Sequence, residues 1–421
     1  MIPEGMIRGW CPSLFEPMAS GDGLLLRVKP YGARLDAGAA RAVGAAAARH
    51  GNGWIDLTQR GNLQIRGVTP EGVEPFAAAM RAAGLASASP DAERRRNLIA
   101  PPLLGTDPAL EPGAEALATA LEAMLEAADL PTLPGKIVLL LDAGGALPPD
   151  GVAADLRLTL RAGAVRLSLP GGTAAAECPA ATAPAAAEAV LRAFLALGGG
   201  QGEARRLRGL VARVGAGALL RAAGLEPRAD VPGSGAAERP PPIGPHLLAG
   251  GIAFGLAPPF GQFSALQLGT LAGLAERLGD GTLRTTPWRT LLLPGVAPRD
   301  GLALRDVVLA AGLIADPGDG RLNLVTCPGR PACPRAGVAT HRDADWLATR
   351  PLPGLLHLSG CAKGCAHPAP APFTLVGTPG GYALVRGGRA GDRPEAVGLT
   401  PEQAATLLAA GGTGAAATRS G

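Results

Sequence analysis

The sequence predicts an α+β protein built from one unit used twice about a pseudo-two-fold axis. Three observations carry that expectation. The order strand–helix–strand–strand–helix is predicted over residues 24–83 and again over 252–311. Residues at turns and strand ends recur with it, about 229 positions apart. Finally, residues 226–245 are rich in proline and glycine, which punctuate structure and do not continue it. Repetition of a supersecondary order together with its turn residues is the signature of internal duplication.

The elements follow in order. Gly21-Asp22-Gly23 marks a turn, after which 24–29 reads as a strand. Asp36 can cap a helix over 37–50, which ends at Gly51 and Gly53. Strands over 54–58 and 63–67 flank Gln59-Arg60-Gly61-Asn62. Thr69-Pro70 then opens a helix to about Ala83. In the second copy, strands are expected over 252–257, 282–286 and 290–293, with helices over 265–278 and 302–311. Pro30-Tyr31-Gly32 corresponds to Pro259-Phe260-Gly261, and Thr58-Gln59-Arg60 to Thr286-Pro287-Trp288-Arg289 with one residue inserted. Gly67-Val68 matches Gly295-Val296, and residues 96–102 lie over 322–328.

Each copy continues into a second α+β module. The first is expected to hold a helix over 114–128, strands over 136–142, 156–160 and 164–169, and helices over 183–197 and 205–213. The second is expected to hold strands over 322–325, 355–359, 373–377 and 382–386, and a helix over 400–410 capped by Thr400. The predicted organisation is a half-domain (1–86), a module (87–225), a linker (226–245), a second half-domain (246–315) and a second module (316–421).

Composition narrows the class. With 47% hydrophobic and 18% charged residues, the 421-residue chain can bury a large core, which excludes wholesale disorder. A net charge of +4 is too small to argue for nucleic acid. No apolar run reaches the roughly 18–20 residues that span a bilayer. Glu4 and Arg8 interrupt the first ten residues, so no signal peptide is read there. A reducing cytoplasm is the expected compartment, in which six cysteines are not expected to pair as disulfides. Cys11 and Cys178 stand alone and are assigned to packing, whereas Cys327, Cys333, Cys361 and Cys365 fall within 39 residues.

The four clustered cysteines are spaced Cys327-x5-Cys333, then 27 residues, then Cys361-x3-Cys365. Zinc knuckles favour a two-residue spacer, and no such pair occurs. An iron–sulfur cluster accepts mixed spacings because its ligands surround a larger object, and thiolate-only ligation suits it. Gly329, Gly360 and Gly364 remove bulk, so backbone N–H groups can approach sulfur. A [4Fe–4S] cluster is the leading reading, with zinc or unligated buried thiols as alternatives.

Here the chain resembles a known family. Thr326-Cys327-Pro328-(x3)-Ala332-Cys333-Pro334, with Leu358-Ser359-Gly360-Cys361-Ala362-Lys363-Gly364-Cys365-Ala366, is similar to the siroheme-type nitrite and sulfite reductases. Thr58-Gln59-Arg60-Gly61-Asn62-Leu63-Gln64-Ile65-Arg66-Gly67 resembles their first half-domain motif. The resemblance implies ferredoxin-like half-domains and a [4Fe–4S] cluster on the four cysteines, the last of which bridges to siroheme in those reductases. The opening Gly9-Trp10-Cys11-Pro12-(x4)-Pro17-Met18-Ala19-Ser20-Gly21-Asp22-Gly23 is closer to one branch, the precorrin-3B synthases of aerobic cobalamin synthesis. The reductases carry two lysines in a K-x-K strand, whereas this chain has Lys136-Ile137-Val138, which argues against nitrite or sulfite as substrate.

The resemblance implies O2-dependent hydroxylation of precorrin-3A at C20, followed by closure of a γ-lactone. It also implies electrons from NADH through a separate reductase, since no nicotinamide-binding glycine fingerprint is present; Gly198-Gly199-Gly200-Gln201-Gly202 follows a helix, not a strand. Whether a siroheme or a mononuclear iron accompanies the cluster stays open, as does the oligomeric state. The substrate bears eight carboxylates, which guanidinium pairs bidentately. The candidate binding residues are Arg60, Asn62, Gln64, Arg66, Arg96, Asn97, Lys136 and Arg289. Arg94 and Arg95 read as a solvated charge run. No catalytic group is assigned, but Lys136 and His367 are the candidates; His50 and His246 are read as structural, as are His341 and His357, which, lying near the cysteine module, could instead ligate or relay protons. Two other readings remain: a siroheme-dependent nitrite or sulfite reductase, and a non-catalytic cluster-bearing tetrapyrrole carrier or redox sensor.

Overall fold

The computed structural model describes residues 11–229 and 241–411. Two five-stranded sheets form its centre, and each takes its last strand from the other half. The first runs Met18–Ser20, Gly23–Val28, Leu63–Val68, Trp54–Leu57 and then Gln262–Ser264. The second runs Gly244–Leu248, Gly251–Leu256, Leu291–Val296, Thr282–Thr285 and then Arg34–Asp36. Phe263 pairs with Ile55, and Leu283 with Leu35, so the exchange is reciprocal.

Each exchanged strand leads straight into a helix, Ala37–His50 or Ala265–Leu278. Asp36 caps the first by accepting from the Ala39 N–H at 2.7 Å. Ser264 and Gln267 form a reciprocal capping box on the second. The two helices pack together closely because the first is alanine- and glycine-rich. A Cβ on Gly44 would lie 3.1 Å from the Ala265 carbonyl oxygen. Leu26, Val28, Ile55 and Ile65 of one half join Leu268, Leu271, Leu283 and Leu291 of the other in a single apolar core.

The repeat is in constant register: Arg34 matches Gln262, Trp54 matches Thr282 and Leu63 matches Leu291. The expected inserted residue near Arg289 is therefore absent. Thr58 Oγ1 accepts from the Arg60 and Asn62 N–H groups at 3.3 and 3.1 Å. Thr286 Oγ1 accepts in the same way from Trp288 and Thr290 at 3.2 and 3.3 Å. Arg289 thus takes the place of Gly61, both left-handed (φ 58° and 67°), and Trp288 that of Arg60. The turn Pro259–Gly261 likewise matches Tyr31–Ala33, one residue later than expected. Shared residue types had suggested the wrong register; the hydrogen-bonded turn sets the true one.

The two modules repeat a second pattern. In one, Leu98–Ile99, Leu139–Asp142 and Leu156–Arg161 are parallel, followed by antiparallel Ala164–Ser168, Ala174–Pro179 and Arg228–Ala229. In the other, Leu324–Thr326, Leu356–Ser359 and Ala371–Thr378 are parallel, followed by antiparallel Gly381–Gly388 and Ala396–Leu399. Lys136 lies outside the strand expected to hold it, because Ile137 N–H turns back to the Pro134 carbonyl and pairing starts at Leu139. Residues 320–323 form a 3-10 turn before the strand expected from 322. Of the expected linker, residues 230–240 lie outside the described residues. Among the described residues, no helix is long and apolar enough to cross a membrane.

Candidate active site

A cavity of about 400 Å³ lies between the first half-domain sheet, the turns at 258–261 and 289, and the cysteine module. Its floor is a row of paired strand residues. Arg27 is opposite Gln64, Gln64 opposite Asp56, and Asp56 opposite Gln262. The two-residue strand period turns Leu63 and Ile65 into the core, leaving Gln64 and Arg66 on the other face. Arg27 Nη2 donates to Gln64 Oε1 at 3.0 Å, and Gln64 Nε2 to Asp56 Oδ2 at 3.2 Å. Gln262 Nε2 donates to Asp56 Oδ1 at 2.7 Å, and its Oε1 lies 3.2 Å from His341 Nδ1. An amide oxygen only accepts, so the His341 proton sits on Nδ1 and Nε2 is left as an acceptor. Burial pushes the His341 pKa down and Arg66 and Arg289 add to that, against an upward pull from Asp56.

Arg66 does not line this cavity. It is 2% exposed and bonds Asp22 (2.8 Å), Asp56 (2.9 Å) and the Ala332 carbonyl (3.3 Å). Ser20 Oγ also donates to Ala332 O at 2.7 Å. These contacts fasten the first half-domain to the residue before Cys333. Asn62 is buried just ahead of its strand.

The cationic wall is made by Arg27, Arg60, Arg289 and the neighbouring Lys136. Arg60 Nη2 donates to the Lys136 carbonyl at 3.2 Å. Arg289 Nη2 donates to the Ala366 carbonyl at 3.3 Å. Buried Arg27 Nε, Arg60 Nη1 and Arg289 Nε have no protein partner. Burial lowers the Lys136 pKa, with Arg60, Lys363 and Arg205 adding to the effect and Cys11 opposing it.

Cys11, assigned from sequence to packing, instead lines the cavity. Burial alone would raise its pKa, but Arg27, Arg60 and Lys136 together bring it below the usual thiol value. The signal was present in the opening motif, but the three cations reach Cys11 only through the fold.

Arg96 and Asn97 are not brought to this cavity. Arg96 is 2% exposed and donates to Ser87 Oγ (2.9 Å), the Lys29 carbonyl (2.7 Å) and Glu93 Oε2 (3.2 Å). Its guanidinium also stacks 3.8 Å over the Tyr31 ring. Asn97 Nδ2 donates to the Arg94 carbonyl at 2.8 Å. Arg95, expected in a solvated run, is buried and bonds the Leu125 and Ala127 carbonyls at 3.0 and 2.7 Å, closing the end of helix Ala114–Glu126.

Cys327 and Cys365 face the cavity opposite the arginines. Gly360 N–H donates to Cys327 Sγ at 3.2 Å. A Cβ on Gly360 would lie 2.8 Å from the Ala336 side chain and 3.4 Å from Cys327 Sγ, so this cradle requires glycine. Burial pushes up both the Cys327 and the Cys365 thiols, and nearby cysteines add to it: Cys333 and Cys361 for Cys327, and Cys327, Cys361 and Cys333 for Cys365. Cys327 and Cys365 thus each lie within electrostatic reach of the other three thiols. Among the described residues, no three His, Cys, Asp or Glu side chains are arranged to hold one metal ion. His367 lies beside this loop, its ring 5.6 Å from that of fully buried His357.

The family model described as the nitrite/sulfite reductase ferredoxin-like half domain matches residues 16–83 and 248–310, once in each half. A precorrin-3B synthase from a Sinorhizobium species is 35% identical over 408 residues, covering 93% of this chain and 85% of the relative. The chain belongs to the precorrin-3B synthase family. A ferredoxin–nitrite reductase from Synechococcus elongatus is 25% identical over 366 residues, covering 77% of this chain and 70% of its own. The solved structure of the Mycobacterium tuberculosis NirA protein matches with a TM-score of 0.70 at 21% identity, over 87% of this chain and 74% of that one. This member of the precorrin-3B synthase family thus has the duplicated fold expected from its sequence.

Proposed function

We propose that this protein acts in the cytoplasm on precorrin-3A and O2, placing a hydroxyl at C20 and closing a γ-lactone to give precorrin-3B. One oxygen atom enters the product and the other leaves as water, so the reaction takes two electrons and two protons. The observation that carries this reading is the set of buried guanidinium N–H groups on Arg27, Arg60 and Arg289 that meet no protein acceptor beside the cavity. Buried donors left unpaired are costly, and a polycarboxylate supplies their acceptors.

The four cysteines suit a [4Fe–4S] cluster, given the Gly360 N–H on sulfur and the cradle that excludes a Cβ. When bound, it would pass single electrons delivered from NADH through a separate reductase. Arg27, Arg60, Lys136 and Arg289 bind and orient substrate carboxylates, and the Asp56–Gln262 pair holds His341 in the tautomer that accepts at Nε2. Lys136 stands beside that wall as a proton donor.

Anaerobically purified protein should contain about four iron and four sulfide, and Cys→Ser at Cys327, Cys333, Cys361 or Cys365 should abolish the cluster absorbance. Added precorrin-3A, reductant and O2 should give a product heavier by one oxygen atom. Stoichiometric siroheme with nitrite or sulfite turnover would refute the proposal in favour of the reductase. Tetrapyrrole binding without turnover would refute it in favour of a carrier.

A further inference from the structure

The middle strand of the cysteine module, Leu356–Ser359, alternates in the usual way. Leu356 and Leu358 enter the apolar core, and His357 and Ser359 take the opposite face. The other polar side chains near that face are satisfied within the protein. Ser359 Oγ donates to the Cys361 carbonyl at 2.7 Å, and Thr374 Oγ1, beside His357 in the sheet, donates to the Gly388 carbonyl at 2.9 Å. His357 is the exception. It is 0% exposed, and neither Nδ1 nor Nε2 has a partner.

The surroundings of His357 define what it lacks. Its Cε1 would be 3.6 Å from a Cβ on Gly364, so the backbone between Cys361 and Cys365 lies directly on the ring. The charged or titratable groups facing it are Arg289 and His367, both of which disfavour its protonation after burial itself. Neutral or charged, the ring has at least one N–H to place. No protein atom accepts that proton, while the loop covering it carries two of the four thiols proposed to hold the cluster.

We propose that the His357 N–H donates a hydrogen bond to sulfur of the cluster held by the Cys361–Cys365 loop, making His357 a positioning residue that raises the cluster's reduction potential. This rests on the cluster reading above. A donor to cluster sulfur stabilises the more negative, reduced state, so its removal shifts the potential downward.

The test compares anaerobically purified wild type with His357→Phe, which keeps a planar ring without a donor, and His357→Gln, which restores an N–H. Iron and sulfide analysis comes first; a wild type without a cluster would overturn the cluster reading itself. Given a full cluster, His357→Phe should retain iron and sulfide yet be reduced at a more negative midpoint, and His357→Gln should recover part of the shift. An unchanged midpoint in fully loaded His357→Phe would overturn the proposal, the N–H then meeting an enclosed water. If His357→Phe does not assemble the cluster, the wild type decides. Pulsed EPR of its reduced cluster, with ¹⁵N-histidine, should show an imidazole nitrogen coupling that His357→Gln lacks. A wild-type spectrum without that coupling would overturn the proposal.

Discussion

Lys29 follows the strand that carries Arg27 and is 5% exposed, behind the cationic wall. Its Nζ donates to the Glu93 carbonyl and lies 4.0 Å from that residue's carboxylate, which Arg96 also engages. Lys29 thus shares Glu93 with Arg96, and the charges of Arg27 and Arg60 also act on it. Desolvation, with repulsion from the three arginines, outweighs Glu93 and lowers the Lys29 pKa from 10.5 to about 7. The folded-state value is below the unfolded one, so between pH 7 and 10.5 the unfolded chain holds the extra proton and stability rises with pH. The slope from one such site approaches about 1.4 kcal/mol per pH unit, or roughly 2–3 kcal/mol between pH 7.5 and 9.5. Urea unfolding of wild type and Lys29→Met at pH 7.5, 8.5 and 9.5 isolates it, because the other titrations cancel in the difference. Wild type should gain on Lys29→Met as the pH rises. A difference constant within about 0.5 kcal/mol would show Lys29 protonated throughout as an ion pair with Glu93, and the reasoning would fail.

Other consequences are equally direct. Arg66→Ala strands Asp22 and Asp56 at 12% and 15% side-chain exposure and cuts the tie to Ala332. It should cost about 3–5 kcal/mol in urea unfolding and loosen the cluster, with Arg66→Lys intermediate. At pH 7.5 iodoacetamide should label Cys11, held down by its cations, faster than Cys178, which burial pushes up. Peptide mass spectrometry reads the ratio, and bound tetrapyrrole should protect Cys11 alone. Arg60→Ala should weaken tetrapyrrole binding roughly 10–100-fold, as expected for losing a charge-assisted hydrogen bond of about 1.5–3 kcal/mol. Arg96→Ala should lower stability and leave the affinity near wild type, measured by titration of tetrapyrrole absorbance.

The half-domains were legible because their helices announce both ends: Asp36 and Gly51 for one, Ser264 and Gly279 for the other. The strands Arg34–Asp36 and Gln262–Ser264 were not, being three residues each and defined by partners in the opposite half. The cysteines declared themselves by type and spacing. Arginine did not, because its type is the same whether it meets substrate or protein. Arg60 and Arg289 reach the cavity, whereas Arg66, Arg95 and Arg96 are used up on carbonyls and carboxylates inside the fold. Cys11 shows the converse, a residue whose chemistry is set by cations far away in sequence.

Duplication of the half-domain could have produced two such cavities, and the matched rows show why it gives one. In the first sheet the cross-strand row is Arg27, Gln64, Asp56 and Gln262; in the second the matching row is Gly255, Leu292, Arg284 and Arg34. Leu292 packs with Leu103 and Leu147 of the first module, beside Trp288, which holds the place of Arg60. Arg284 is spent on the Leu104 carbonyl at 3.0 Å and on Thr282 Oγ1 at 3.1 Å. The second crevice is thus filled around Leu292 by Leu103, Leu147 and Trp288, with Arg284 turned onto the backbone, and burying those apolar side chains stabilises the scaffold. The first keeps an amide and carboxylate row whose hydrogen bonds hold its shape without filling it. Stability and chemistry are thus divided between two copies of one surface, and the copy facing the cysteines is the one that keeps an open row of amide and carboxylate groups.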